Sequence, residues 1–263
     1  MRIALGVEYS GENFNGWQRQ PQGYSVQACV EDALAKVANH PVNVFCAGRT
    51  DRGVHALAQV IHTDVNIFRP AQAWVLGTNA YLPKEVKILW SQVVDASFHA
   101  RFSAQTRHYR YLIFNRPIRS AIFANRMTWT HKPLDIKNMQ AGANYLIGTH
   151  DFSAYRAVSC QAKNPVRTII RLTISRWQEI VFIDISANAF LHHMVRNIAG
   201  VLMAIGCNEH PPVWAKTVLE AKDRTAGGVT APANGLYFCD VDYPPQYALP
   251  KVQSAYLFGL NAG

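Results

Sequence analysis

The sequence predicts an α+β fold made of two halves of similar plan. Three observations carry this expectation. Hydrophobic residues are 49% of the 263 residues and charged residues 16%, the balance of an ordered globular chain long enough to bury a core. Up to about residue 95, apolar patterning runs in the order strand, helix, strand, strand, helix, strand. The second half then starts again with a strand-like run and continues with helix-like and strand-like runs. Two halves of one plan imply an internal duplication with a cleft between sheets, visible as pattern and not as a letter-by-letter repeat.

Taken in order, Arg2 to Tyr9 is a largely apolar strand, and Ser10 to Gly23, rich in Gly, Asn and Gln, is a loop. Ser25 is the N-cap of a helix from Val26 to about Ala38, with Val26, Val30, Ala33, Leu34 and Val37 at helical spacing. Strand-like runs at Val42 to Ala47 and Val54 to Thr63 flank a short loop. Pro70 to Asn79 is a helix opened by its proline, and Val86 to Val94 a strand. In the second half, Thr106 to Asn115 reads as a strand, Leu134 to Leu146 as a helix, and Ile169 to Ser175 and Ile180 to Ser186 as strands. Ala189 to Ile205 is a strong helix, Pro212 to Ala221 another, and Gly235 to Val241 a closing strand. The halves are drawn at residues 1–104 and 105–263.

The net charge of +9, from 26 basic and 17 acidic residues, points to a polyanionic partner. Its distribution says more. Ala96 to Leu134 has no acidic residue but contains Arg101, Arg107, Arg110, Arg116, Arg119, Arg126 and Lys132. Phe152 to Gln178 is also free of acids and carries Arg156, Lys163, Arg167, Arg171 and Arg176. Arginine outnumbers lysine 17 to 9, which favours forked contacts to phosphate, so nucleic acid is the expected partner. The five cysteines are widely spaced with no CxxC pair, so neither a zinc site nor a disulfide framework is indicated, and a reduced, cytoplasmic setting fits. Glu8 interrupts the first apolar run, unlike a signal peptide. The longest apolar segment, Ala199 to Cys207, is far shorter than the ~20 residues of a membrane span.

The stretch Cys46 to His55, CAGRTDRGVH, sets one carboxylate, Asp51, between Arg49 and Arg52, with Gly48 and Gly53 around them. At the tip of a loop, cationic neighbours would keep Asp51 ionised, which suits a nucleophile or an electrostatic stabiliser and not a general acid. A turn cap or a surface pair with Arg49 has the same residue types, and these alone favour that plainer reading, since ion pairs also perturb pKa values without catalysing anything.

GRTDRGVH resembles the GRTDxGVH signature of the TruA family of tRNA pseudouridine synthases. Five more segments agree in register: GWQRQ at Gly16 to Gln20, SVQ at Ser25 to Gln27, FHARFSA at Phe98 to Ala104, RHYRY at Arg107 to Tyr111 and NAFLHHMVRNIAG at Asn188 to Gly200. The resemblance spans about Ile3 to Pro250. It implies two ferredoxin-like (RRM-like) halves forming one continuous, mostly antiparallel sheet with helices on one face and a central basic cleft. The implied reaction turns uridine into pseudouridine at positions 38, 39 and 40 of the tRNA anticodon arm, with no cofactor and no metal. A homodimer is implied, each tRNA touching both subunits.

The resemblance makes Asp51 the nucleophile, Arg49 the residue that holds RNA with its base everted, Tyr109 the ring that stacks on the target base and Arg196 the cationic partner of the carboxylate. Base eversion costs a few kcal/mol, recovered by pocket contacts. His99 and Arg101, within Phe98, His99, Ala100, Arg101 and Phe102, are implied to hold RNA; Arg69 and Lys163 are further RNA contacts. On pattern alone, Tyr109 reads as a core residue of a strand, and the resemblance is what makes it a stacking ring. His192 and His193, placed on the helix, point about 100° apart and read as packing or RNA-facing residues. Arg52 stands where the family commonly has a small residue, and Asn13-Phe14-Asn15 where aromatics are usual. The rival functions are a non-catalytic RNA-binding or RNA-folding protein and a nucleoside-cleaving hydrolase, the latter needing a second carboxylate.

Overall fold

The structure, a computed structural model, describes residues 1–252; the end of the second half drawn from sequence, 253–263, lies outside them. Contacts divide the described residues into two compact units, one of Met1–Arg107 with 237–252, the other His108–Leu236. The sequence-drawn boundary at 104 differs by three residues. The larger difference is the final strand, which returns to the first unit through a pairing that no local pattern signals. Both units are α+β and their strands pair mostly antiparallel.

In the first unit the strands lie in the order β4 (Val86–Val94), β1 (Arg2–Tyr9), β3 (His55–Asp64), β10 (Leu236–Asp242). β1 pairs antiparallel with β3, from Arg2 opposite Asp64 to Tyr9 opposite Ala56, and antiparallel with β4. β10 runs parallel to the start of β3, with Tyr237 opposite His55, while the short β2 (Phe45–Cys46) pairs with its far end at Ile61 and His62. β1 and β3 are buried along nearly their whole length, as central strands are, and β3 buries His55, Gln59, His62 and Thr63 among its apolar residues. Ser25 caps α1 (Val26–Ala38), its hydroxyl accepting from the Ala28 N–H at 3.3 Å. α2 (Ala71–Tyr81) starts just after Pro70, and the Asn79 amide grips both backbone groups of Ile88 at 2.8 Å, tying helix to strand.

In the second unit the order is β5 (Thr106–Asn115), β9 (Ile180–Ala187), β8 (Val166–Trp177), β7 (Gly148–Asp151), with β6 (Thr128–Thr130) parallel to β5. β8 and β9 form a hairpin turning at Gln178 and Glu179. Side chains lace β5 to β9: His108 Nδ1 meets Ser186 Oγ at 2.7 Å, and Arg110 holds Asp184 in a fork at 2.7 and 3.1 Å. Helices α3 (Ile136–Asn144), α4 (Met194–Gly206) and α5 (Trp214–Ala221) complete the unit. The core of α4 is Met194, Val195, Ile198, Ala199, Val201, Leu202 and Ile205.

α4 begins five residues later than its periodicity predicts. Asn188 takes the place of a helical hydrogen bond, its Oδ1 accepting from the N–H groups of Ala189 (2.8 Å) and Thr168 (3.0 Å). His193 then stands at φ 62, a conformation no α-helix contains. The expectation that His192 and His193 are helical residues is therefore corrected: they end a loop, their rings 4.1 Å apart.

Candidate active site

In the first unit the Asp51 loop is held from both sides. Before it, Ala47 N–H donates to the Val60 carbonyl at 2.8 Å, and the fully buried Gln59 carboxamide pairs with both backbone groups of Gly48 at 2.5 and 3.3 Å. The buried Thr50 hydroxyl bonds the Tyr9 hydroxyl at 2.7 Å, and its carbonyl accepts from Trp17 N–H at 3.0 Å. After it, Val54 N–H closes a turn onto the Asp51 carbonyl at 3.1 Å, with Gly53 at φ 80 supplying the left-handed corner. Gly16, at φ 93, lies so close that a Cβ there would meet the Thr50 carbonyl at 2.7 Å. The GWQRQ segment thus forms the support of the Asp51 turn. Asp51 is half-buried at the turn, and Arg49 and Arg52 beside it are exposed.

Glu31 carries the next layer. It sits on the buried side of α1, where one oxygen accepts from Gln27 Nε2 (2.9 Å) and Val44 N–H (3.1 Å), and the other from Arg19 Nε (2.9 Å). One carboxylate thereby joins GWQRQ, SVQ and the strand leading to Asp51. Sequence reading missed it, although a charged residue flanked by the buried Val30 and Leu34 is a signal. Arg107, the first residue of RHYRY, is also buried and donates to the Ala47 (3.2 Å), Arg101 (2.6 Å) and Ala104 (3.1 Å) carbonyls. It counts among the basic residues of its tract but serves as scaffold.

The Phe98 to Phe102 segment divides in two. Phe98 and Ala100 have no exposed surface, and their side chains pack in the core. Phe98 lies against the Tyr243 and Tyr247 rings, 5.1 and 5.0 Å away, and the Ala100 backbone bonds His62 Nδ1 (3.1 Å) and the Tyr243 hydroxyl (2.6 Å). His99 caps the turn, Nδ1 accepting from Arg101 and Phe102 N–H at 3.1 and 3.3 Å. Phe102 is 75% exposed and Arg101 is exposed above its ring, 5.6 Å from the centroid. Burial, with the charges of His99 and Arg2, lowers His62 to about 4, which keeps its ring neutral as an acceptor. Burial also pushes the Cys46 thiol up to about 12, against the smaller opposing pull of Arg49 and Arg101. Arg69 is half-buried and donates to the Val37 carbonyl at 2.8 Å, closing the last turn of α1.

In the second unit Tyr109 is 8% exposed on β5 and meets Phe190 of the NAF segment edge-on at 5.0 Å. Tyr111, on the same face, is fully buried and bonds Thr128 Oγ1 and the Pro232 carbonyl (2.8 Å). Arg196 is half-buried near the start of α4, its Nε donating to the Ala231 carbonyl at 2.8 Å. Its charge acts on the Tyr111 hydroxyl, whose pKa burial holds far above the usual value. Lys163 is exposed.

Among the described residues no helix is long and apolar enough to cross a membrane. A family model described as tRNA pseudouridine synthase matches residues 6–103 and 143–244. The chain is 56% identical over 251 residues to the tRNA pseudouridine synthase A of Pseudomonas aeruginosa, covering 95% of this chain and 88% of that one. It is 55% identical to that of Coxiella burnetii, covering 95% and 96%, and 57% identical to that of Nitrosococcus oceani, covering 96% and 97%. With its two matched regions falling on both units and these identities running over almost the full length, the chain belongs to the tRNA pseudouridine synthase family, a family of isomerases.

Proposed function

We propose that this protein isomerises uridine to pseudouridine at positions 38, 39 and 40 of the tRNA anticodon stem-loop, with Asp51 as nucleophile. The observation that carries the reading is the braced turn at Asp51, a half-buried carboxylate between two exposed arginines with its backbone fixed on both sides. A nucleophile gains from such fixing, because a preorganised group loses no freedom on reaching the reacting atom.

The reaction breaks the bond between the ribose C1′ and uracil N1, turns the base, and joins C1′ to C5. The C5 proton leaves and N1 gains one, so the product is an isomer with no change in oxidation. Arg49 holds the everted state, Tyr109 stacks on the base and Arg196 pairs with the carboxylate. Exposed Arg101, Phe102 and Lys163, with His99 and Arg69, bind the anticodon arm, a contact of stacking and phosphate pairing. The protein acts in the cytoplasm as a homodimer, each tRNA touching both subunits.

The test is incubation with an unmodified tRNA transcript followed by mapping of pseudouridine. Wild type forms it at positions 38 to 40, and Asp51→Asn forms none while still binding tRNA. Undiminished product from Asp51→Asn would remove Asp51 from the chemistry. No product from wild type would leave an RNA-binding protein that does not catalyse.

A further inference from the structure

Arg196 does not hold its position alone. The loop Gly228 to Ala231 runs along α4 and bonds it twice: Ala231 N–H donates to the Arg196 carbonyl at 3.1 Å, and the Ala231 carbonyl accepts from Arg196 Nε at 2.8 Å. The Ala231 carbonyl thus holds the Nε edge of the guanidinium. What fixes that loop is a polar chain beneath it. Arg224 Nη2 donates to Thr230 Oγ1 at 2.9 Å and to the Gly228 carbonyl at 3.0 Å. The Thr230 hydroxyl donates to Asn197 Oδ1 at 2.6 Å, and Asn197 Nδ2 donates to the Tyr155 carbonyl at 2.8 Å. Asn197 is 2% exposed, so its bonds are shielded from water and its partners are not readily exchanged. One turn further on, a Cβ at Gly200 would come within 1.9 Å of the Val229 carbonyl, so the loop can lie this close only over glycine.

We infer that Thr230, with Asn197 and Gly200, is a positioning residue for the proposed reaction: it locks the loop whose Ala231 carbonyl orients the Arg196 guanidinium. This rests on the reading of Arg196 as a catalytic residue. The Thr230 hydroxyl touches no reacting atom and acts only through Arg196. It accepts from Arg224 and donates to Asn197, beside a direct bond from Arg224 Nη2 to Asn197 Oδ1 at 3.2 Å, and a methyl group in its place removes both of its own bonds while leaving that direct one.

The experiment compares Thr230→Val, Thr230→Ser, Gly200→Ala, Arg196→Ala and the Arg196→Ala/Thr230→Val double variant, under single-turnover conditions with an unmodified tRNA transcript. Affinity is read by filter binding. Thr230→Val is expected to lower the rate about tenfold with tRNA affinity within about twofold, and Thr230→Ser, which keeps the hydroxyl, to restore it. In the Arg196→Ala background Thr230→Val adds nothing, because the group it positions is gone. Gly200→Ala, if it folds, follows Thr230→Val. A wild-type rate for Thr230→Val beside an impaired Arg196→Ala overturns the inference and leaves the role of Arg196 intact. Equal rate losses in both backgrounds also overturn it, assigning Thr230 to stability alone. A wild-type rate for Arg196→Ala refutes the catalytic reading of Arg196 itself.

Discussion

Replacing Glu31 by alanine removes the carboxylate that joins three segments of the first unit, and its effect can be worked from the bonds it makes. The Val44 N–H, 3.1 Å from Oε1, is buried and would be left without an acceptor, at about 1–3 kcal/mol. Gln27 keeps a 3.4 Å contact to the Val44 carbonyl, so its loss is smaller, about 0.5–1 kcal/mol. Arg19 is half-exposed and retains Asp32 at 3.0 Å, which limits the lost ion pair to under about 1 kcal/mol. Together these give a destabilisation of about 3 kcal/mol, or roughly 9 °C at about 3 °C per kcal/mol for a unit of this size. Two units need not melt together, so the assay is calorimetry, following the transition that Glu31→Ala displaces. Arg19→Ala is the control and should move that transition by no more than about 3 °C. If Glu31→Ala melts within about 3 °C of wild type, or no lower than Arg19→Ala, the carboxylate is not the junction described.

Three further outcomes are expected. His62, lowered to about 4 from its ordinary 6.5, is neutral in the folded protein while the unfolded chain takes up a proton as pH falls. Its contribution is therefore full above pH 6.5 and lost towards pH 4; allowing for screening it is on the order of 1–2 kcal/mol, and His62→Asn should flatten that acid limb in urea titrations. Phe98→Ala should cost about 3–5 kcal/mol of stability, whereas Phe102→Ala should change it by less than about 0.5 kcal/mol and instead weaken tRNA binding, since only the second ring is exposed. Arg49→Ala should slow turnover far more than it weakens affinity, because one arginine is a small share of the phosphate contacts whose log–log salt slope is about −0.7 each on single strands; a collapse in affinity would refute its assigned role.

Much of the fold is legible because it rests on local physics. β1, α1, β4 and β5 occupy the ranges their periodicity predicts, and the Ser25 cap is where a hydroxyl before an apolar-periodic run should be. What escapes is set by distant partners. β6 and β7 are three and four residues long, too short for a pattern, and exist by pairing with β5 and β8. β2 shrinks to Phe45–Cys46 because only those two residues keep ladder register with β3; beyond them the contact passes to the Gln59 side chain, which pairs with Gly48. The start of α4 is misread because Ala189, Phe190 and Leu191 look helical, whereas the Asn188 side chain and a left-handed His193 stop the helix.

The same division runs through the motifs. Short matching strings tempt one to read every letter as chemistry, yet most of these letters hold backbone. In GWQRQ the glycine admits the Thr50 carbonyl and the arginine reaches Glu31; in FHARF the first aromatic is core and the second is surface; in RHYRY the first arginine binds three carbonyls. A braced loop needs several such residues for each side chain it presents, because a carboxylate fixed to within a fraction of an ångström must be fixed through its neighbours. That ratio explains why residue types alone favour a turn cap or surface pair at Asp51 over a nucleophile. The turn is set apart less by Asp51 itself than by the buried bonds, from Tyr9, Trp17 and Gln59, that converge on the ten residues around it.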